Sequence, residues 1–219
     1  MSKNKIILLL ITIAIIIAGV WYFLGDSSQI LPNGSNSVVA VVNGEELEYK
    51  EFNSQLTQIR QGLLAQDPNF DDSNLENQVL DQMVTNILLK QEAQKANLTV
   101  SDTEIETEYN NLVTSLGGEE ALDKELTNVD LSETELKANI ESQILVNKYI
   151  DSQIDSSSIT VTEAEVLALY EEAGSVQELP PLEEIETEIR AELTRQKRDV
   201  LISELIASIS SNANIEVLI

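Results

Sequence analysis

The sequence predicts a mainly α-helical fold: a multi-helix domain with a small two-stranded sheet joining its N- and C-terminal segments, preceded by one N-terminal transmembrane helix. Three observations support this prediction. Apolar residues recur every three or four positions over most of the chain, strand-like runs occur only towards its two ends, and an unbroken apolar run precedes both. The 219-residue chain therefore divides into a predicted anchor at 1–25, a flexible linker at 26–37 and a helical domain at 38–219.

The predicted anchor is the apolar run 6–24, which follows Lys3 and Lys5. At ~1.5 Å per residue this run matches the ~30 Å hydrocarbon core of a bilayer, and it is longer than the apolar part of most cleaved signal peptides. It ends in an aromatic cluster typical of a membrane interface: Trp21, Tyr22 and Phe23. We favour a single-pass signal-anchor over a removed signal peptide. The lysines then predict a cytoplasmic N-terminus and an extracytoplasmic domain, in the periplasm or at the cell surface.

Composition excludes several classes of function. The chain has 38 acidic and 13 basic residues, a net charge of −25, and neither histidine nor cysteine. Such a charge repels nucleic acid, while the missing side chains remove the commonest general base, thiol catalysis, disulfides and the usual transition-metal ligands. Carboxylate-only chemistry and Ca²⁺ binding by oxygen ligands stay open in principle. Apart from these, we expect no enzyme, no catalytic residues, no metal site, no cofactor and no nucleic-acid partner.

The surplus carboxylates show no recognisable site pattern. Asp67, Asp71 and Asp72 lack the order of ligands found in a calcium-binding loop, and we interpret them as a solvated loop. The pairs Glu171-Glu172 and Glu183-Glu184 lie on predicted helices that are acidic throughout, with nothing to indicate the cleft of a glycosidase.

The first predicted strand is 38–42, a β-branched run that ends at the turn Asn43-Gly44. The comparable run is 215–219, so we expect these two segments to pair. The first two predicted helices each carry one apolar stripe, Tyr49 to Leu63 and Leu75 to Ile87.

Three later helices begin with the same local signature, a Ser or Thr followed three residues later by Glu and flanked by apolar residues. This pattern indicates a capping box with a hydrophobic staple, and it occurs at Ser101, Ser132 and Thr162. These helices are expected to end at Gly117-Gly118, near Ile154 and at Gly174. A last long helix follows Pro180-Pro181 and has a basic middle at 190–198, which we expect to pair with acidic helices.

The first and third signatures agree beyond the box itself. Leu98-Thr99 corresponds to Ile159-Thr160, and Tyr109 corresponds to Tyr170. An old duplication explains this agreement, and so does convergence on a good helix start, which we favour.

In their order and spacing, the segments 39–45, 79–93, 98–105 and 159–166 resemble the N-terminal chaperone domain of the SurA/PrsA-type extracytoplasmic foldases. That family commonly carries a parvulin-type prolyl isomerase domain before the last helix. Here the join 174–181 is too short for a domain, and the chain has no histidine for a parvulin site. The resemblance therefore implies binding of unfolded or newly exported polypeptides without proline isomerisation.

We interpret the sequence as a membrane-anchored holdase that covers exposed apolar segments of its clients through apolar helical surfaces. The predicted client-binding residues lie near the break between the first two helices: Leu63, Leu64 and Phe70. Two other interpretations stay open, a structural or adaptor protein of a membrane complex and a prolyl isomerase. An aggregation assay separates the first from a chaperone, and an isomerisation assay tests the second.

Overall fold

The computed structural model describes residues 37–129, 131–174 and 180–219. In this part of the chain three strands and seven helices follow one another. The strands are β1 (Val38–Val42), β2 (Glu45–Glu48) and β3 (Ile215–Val217). The helices are α1 (Tyr49–Gln66), α2 (Leu75–Lys95), α3 (Asp102–Leu116), α4 (Glu119–Asn128), α5 (Glu133–Gln153), α6 (Glu163–Gly174) and α7 (Leu182–Ser211).

The sheet has the order β2-β1-β3 and is antiparallel throughout. The predicted pairing of the two terminal segments is confirmed, with Ala40 opposite Val217. The prediction of a two-stranded sheet is wrong, because β2 adds a hairpin partner to β1. Asn43 and Gly44 both have positive φ, 52° and 91°, as the tightest hairpin turns require. The strand they lead into was overlooked because three of its four residues are glutamates, which are uncommon in strands.

The predicted transmembrane helix also requires correction. None of the helices in the described ranges is long and apolar enough to cross a bilayer. Within the described residues the fold is therefore helical with a three-stranded sheet and without a membrane-spanning helix, and it gives no support to the predicted membrane localisation. The segment 6–24, with Trp21, Tyr22 and Phe23, lies outside the described residues.

All three predicted capping boxes form. The Ser101 hydroxyl accepts from the backbone N–H of Glu104 while the Glu104 carboxylate accepts from the backbone N–H of Ser101. Ser132 and Glu135 repeat this exchange at the start of α5. Helix α6 has it too, since the Thr162 N–H lies 2.8 Å from the Glu165 carboxylate.

The predicted helix ends are likewise confirmed. Helix α3 ends at Gly117, whose φ of 99° is the left-handed conformation that favours glycine. Helix α5 is followed by Ile154, α6 ends at Gly174, and α7 begins directly after Pro181. Helix α1 has no side-chain cap at Glu48; the backbone N–H of Tyr49 donates instead to the carbonyl of Ser37.

Two apolar clusters meet on α2. The first joins the sheet, α1 and one side of α2, and the second joins the end of α2 to α5 and α7. Leu88 belongs to the first cluster and Leu89 to the second, at 2% and 1% exposure. Neighbouring residues of one helix thus face different clusters, which places α2 at the centre of the molecule.

Candidate functional site

The structure separates the three residues predicted to bind clients. Leu63 and Phe70 are half-buried and pack against the first cluster. Leu64 is 39% exposed. Their role in client binding stays a prediction, with Leu64 as the residue most available to a partner.

The acidic loop between α1 and α2 is occupied by local contacts. Asp67 accepts from the backbone N–H of Asn69, Asp71 accepts from that of Ser73, and Asp72 pairs with Arg60. The hydrogen bonds from Ser73 lower the pKa of the Asp71 carboxyl. In the described part of the chain no group of acidic residues is arranged to hold a metal ion.

The first and third capping boxes each bind a lysine from another helix, an arrangement that we call a lysine clamp. Lys148 on α5 lies 2.6 Å from the Glu104 carboxylate and donates to the carbonyl of Thr99 at 2.8 Å. This contact fastens the segment before α3 to α5. Hydrogen bonds from Lys148 and then from Ser101 lower the pKa of the Glu104 carboxyl from 4.5 to about 2.

The second clamp repeats the first with the same kinds of atom. Lys197 on α7 lies 2.7 Å from the Glu165 carboxylate and donates to the carbonyl of Thr160 at 2.6 Å. Hydrogen bonds from Lys197 and then from Thr162 lower the pKa of the Glu165 carboxyl to about 2 as well. Arg190 adds a bond to the carbonyl of Val161 at 3.0 Å. The segment before α6 is thereby fixed along α7.

An open groove lies where this second segment crosses α7. Two adjoining depressions of about 350 and 440 Å³ share Ser158 and Leu201. We call their union the α7 groove, and its apolar lining is Ile154, Ile159, Val200, Leu201 and Leu205. Val200 is 57% exposed and Leu201 37%. Polar rim residues include Asp155 and Glu204.

The first clamp provides an internal comparison for this groove. Three and four residues after Lys197 stand Val200 and Leu201, whereas the same offsets after Lys148 carry Asp151 and Ser152. Polar residues therefore suffice at these helix positions beside a clamp. The apolar pair beside the second clamp is not required by the clamp geometry, and this makes the α7 groove the strongest candidate for a binding surface.

Sequence reasoning missed the groove because it treated the stripe of the last helix as core. The sequence contains the signal, since alignment of Lys148 with Lys197 places the polar Asp151 and Ser152 against the apolar Val200 and Leu201. That alignment needs the knowledge of which lysine reaches which glutamate, and the chain separates each clamp pair by more than thirty positions.

Comparisons with known proteins agree with this fold. A family model described as the SurA-like N-terminal domain matches residues 1–116. The foldase protein PrsA of Caldanaerobacter subterraneus subsp. tengcongensis is 30% identical over 151 residues, 63% of this chain and 43% of that protein. The chaperone SurA of Chromohalobacter salexigens is 24% identical over 145 residues, 65% of this chain and 33% of that protein.

The chain thus spans less than half the length of these two relatives. Their names, a foldase and a chaperone, support a chaperone-like function in general terms. The family model matches more than half of the sequence, and the resemblance inferred from the order of its segments is confirmed. The chain belongs to the family of SurA-like N-terminal domains.

Proposed function

We propose that this protein is a holdase: it binds unfolded polypeptides through the α7 groove and releases them without isomerising proline. The observation that carries the proposal is the exposed apolar pair Val200 and Leu201 in an open groove, at positions where the first clamp has polar residues. The names of the relatives support the same general role.

The groove suits clients that expose short apolar segments. Burial of apolar surface is favourable by ~25 cal/mol per Å² and has no directional requirement, so one groove accepts many sequences. A short apolar segment in the groove gains little binding free energy once the entropic cost of ordering it is subtracted. Its binding is therefore weak and rapidly reversible. The net charge of −25 keeps the loaded protein soluble through mutual repulsion.

We propose that the protein does not isomerise proline because of the region between α6 and α7. In our proposal residues 174–181 form the linker at the place where related foldases carry their parvulin domain, within a single domain at 38–219. The chain has no histidine with which to build a parvulin site.

The test replaces the apolar pair by Val200→Ser/Leu201→Ser in the full chain. Because both side chains are more than a third exposed, the helical spectrum and the melting temperature should change little. We expect the variant to lose most of its ability to suppress aggregation of a chemically denatured client. The matched control is Leu167→Ser on α6, which removes a leucine that is 47% exposed but does not line the groove, and it should protect as well as the wild type.

Three outcomes would contradict the proposal. Unchanged protection by the double variant moves the site elsewhere, and Leu64→Ser then tests the surface predicted from the sequence. If the wild type leaves client aggregation untouched at several-fold excess, the adaptor interpretation replaces the holdase. Acceleration of X-Pro isomerisation, which takes ~10–100 s without a catalyst, would contradict the absence of isomerase activity.

A further inference from the structure

The three-stranded sheet has two edges, and they are built differently. On β2 the side chains exposed to solvent are three glutamates, Glu45, Glu46 and Glu48. Charged side chains on an edge strand discourage the pairing of further strands. On β3 the exposed side chains include Ile215 and Val217, at 37% and 51% exposure. The β2 edge is thus protected by charge, whereas the β3 edge exposes two apolar side chains on either side of Glu216.

Two residues of β3 turn their backbone groups away from β1. Asn43 donates to the carbonyl of Asn214 at 2.8 Å, and Leu218 donates to the carbonyl of Val39 at 2.9 Å. Since hydrogen-bonded residues alternate along an antiparallel strand, Glu216 also turns its backbone groups towards β1. The N–H and C=O groups of Ile215 and Val217 therefore point away from β1, towards the side where no other described strand pairs.

A second copy of this chain is a poor occupant of that edge. In the antiparallel register that uses both outward-facing residues, Glu216 of one copy would stand directly opposite Glu216 of the other. Like charges at that distance of ~4.5–5.5 Å are destabilising, and each copy also carries a net charge of −25. A basic side chain opposite Glu216 would instead form a favourable cross-strand pair.

We propose that β3 accepts an extended polypeptide segment of the pattern apolar-basic-apolar as a fourth strand. The apolar side chains of the segment lie beside Ile215 and Val217, on one face, and its basic side chain lies beside Glu216 on the other. Backbone hydrogen bonds to the two outward-facing residues provide the attachment, and the alternation of side chains provides the selectivity. This inference is independent of the α7 groove, which binds by apolar contact alone.

The test measures binding of a blocked, fluorescent peptide of alternating valine and lysine to the full chain by anisotropy. Any cationic peptide is attracted to so acidic a protein, so the controls keep the charge constant. Methylation of the backbone nitrogens of the peptide's valines removes the N–H donors that face β3, and it should weaken binding about tenfold or more. Methylation of the backbone nitrogens of the peptide's lysines, whose N–H groups face away from β3, should leave most of the binding.

Variants of the protein give the matching result. Val217→Pro removes an outward-facing N–H without breaking a bond to β1, and it should weaken binding as much as valine methylation does. Val217→Ala keeps the N–H and should weaken binding less, and a melting curve confirms that both variants are folded. Glu216→Lys should narrow the preference for the lysine peptide over a peptide of alternating valine and glutamate, while the general attraction of the acidic surface for the lysine peptide remains.

Equal binding of the two methylated peptides, or full binding by Val217→Pro, would overturn the proposal. So would a wild-type dimer in sedimentation that Val217→Pro dissociates, because the edge would then belong to a second copy. The variant Val200→Ser/Leu201→Ser should bind the valine-lysine peptide normally. Loss of peptide binding in that variant would place the peptide in the groove and overturn the assignment to β3, without affecting the proposed holdase function.

Discussion

At the scale of single residues, two lysines do the same work in different parts of the chain. Lys148 and Lys197 each bind the glutamate of a capping box and the backbone carbonyl that lies two residues before the cap. In the middle box the Glu135 carboxylate accepts from the hydroxyl and the backbone N–H of Ser132, and these bonds lower the pKa of the Glu135 carboxyl. A lysine bond of the clamp type is not among the described contacts of Glu135. The clamps thus mark the two capping boxes whose glutamate also binds a lysine of another helix. The start of α5 is tied to α3 differently, through Lys137 and Glu106.

The clamps predict a loss of stability in acid. Glu104 and Glu165 each have a folded-state pKa of about 2, below the ordinary 4.5. The unfolded chain therefore binds more protons in this range, so the stabilisation is fully present above pH ~4.5 and is lost as the pH falls towards ~2. We expect Glu104→Gln and Glu165→Gln to lower the melting temperature at pH 7 and to approach the wild type near pH 2.

Exposed Glu120 on α4 provides the control for this titration. Glu120→Gln removes one charge without touching a clamp, and it should lower the melting temperature at pH 7 less than either clamp variant does. Thermal melts of the three variants across this range give the comparison. If the clamp variants showed a pH-independent difference, the two glutamates would not be coupled to their lysines in the folded state.

At the scale of elements, the β1-β2 hairpin is tied to the rest of the fold through its turn. The Asn43 side chain accepts from the backbone N–H of Asn214 at 2.8 Å and donates to Gln91 on α2 at 2.9 Å. Gln91 in turn donates to the carbonyl of Val42 and to Glu45. The sequence predicted Asn43 as a turn residue, while its links to the C-terminal segment and to α2 depend on tertiary packing.

Substitutions at Asn43 should separate these roles. Asn43→Gly keeps the positive φ that the turn needs and removes two side-chain hydrogen bonds, so we expect a cost of about 1–3 kcal/mol in the free energy of unfolding. Asn43→Ala adds the strain of a left-handed conformation, roughly 1–2 kcal/mol. Denaturant unfolding of both variants measures the two contributions. Equal stability of Asn43→Gly and the wild type would mean that the side-chain bonds contribute nothing net.

At the scale of the whole molecule, the sequence predicted the features that depend on residues close together in the chain, and it missed those that depend on tertiary packing. Capping boxes and the glycine stop at Gly117 are local, and the helix ends were predicted correctly. The burial of α2 was not predicted correctly. A single buried stripe from Leu75 to Ile87 was expected, yet Leu80, Val84 and Leu89 are buried as well. A helix at the centre of a fold is covered on several sides, and only the packing of the other elements reveals this.

The candidate site shows the same difference between local features and tertiary packing. The sequence located apolar residues near the break between α1 and α2, where Leu63 and Phe70 pack against the first cluster. The α7 groove requires Ile154 and Ile159 to meet Leu201 across two segments of the chain that lie far apart in sequence. Hydrophobic periodicity identifies the apolar face of α7 but cannot say which part of that face another segment covers.

The central position of α2 predicts that the two clusters unfold together. Leu88→Ala and Leu89→Ala each empty a nearly fully buried site, one in each cluster, and each should cost about 2–5 kcal/mol of a total of ~5–15 kcal/mol. Because both leucines lie on one helix, we expect each variant to lower the hydrogen-exchange protection of β1 and of α5 by similar amounts. Exposed Leu167→Ala should change neither. If Leu89→Ala lowered the protection of α5 while β1 kept its own, the clusters would be separate cooperative units, and α2 would not couple them.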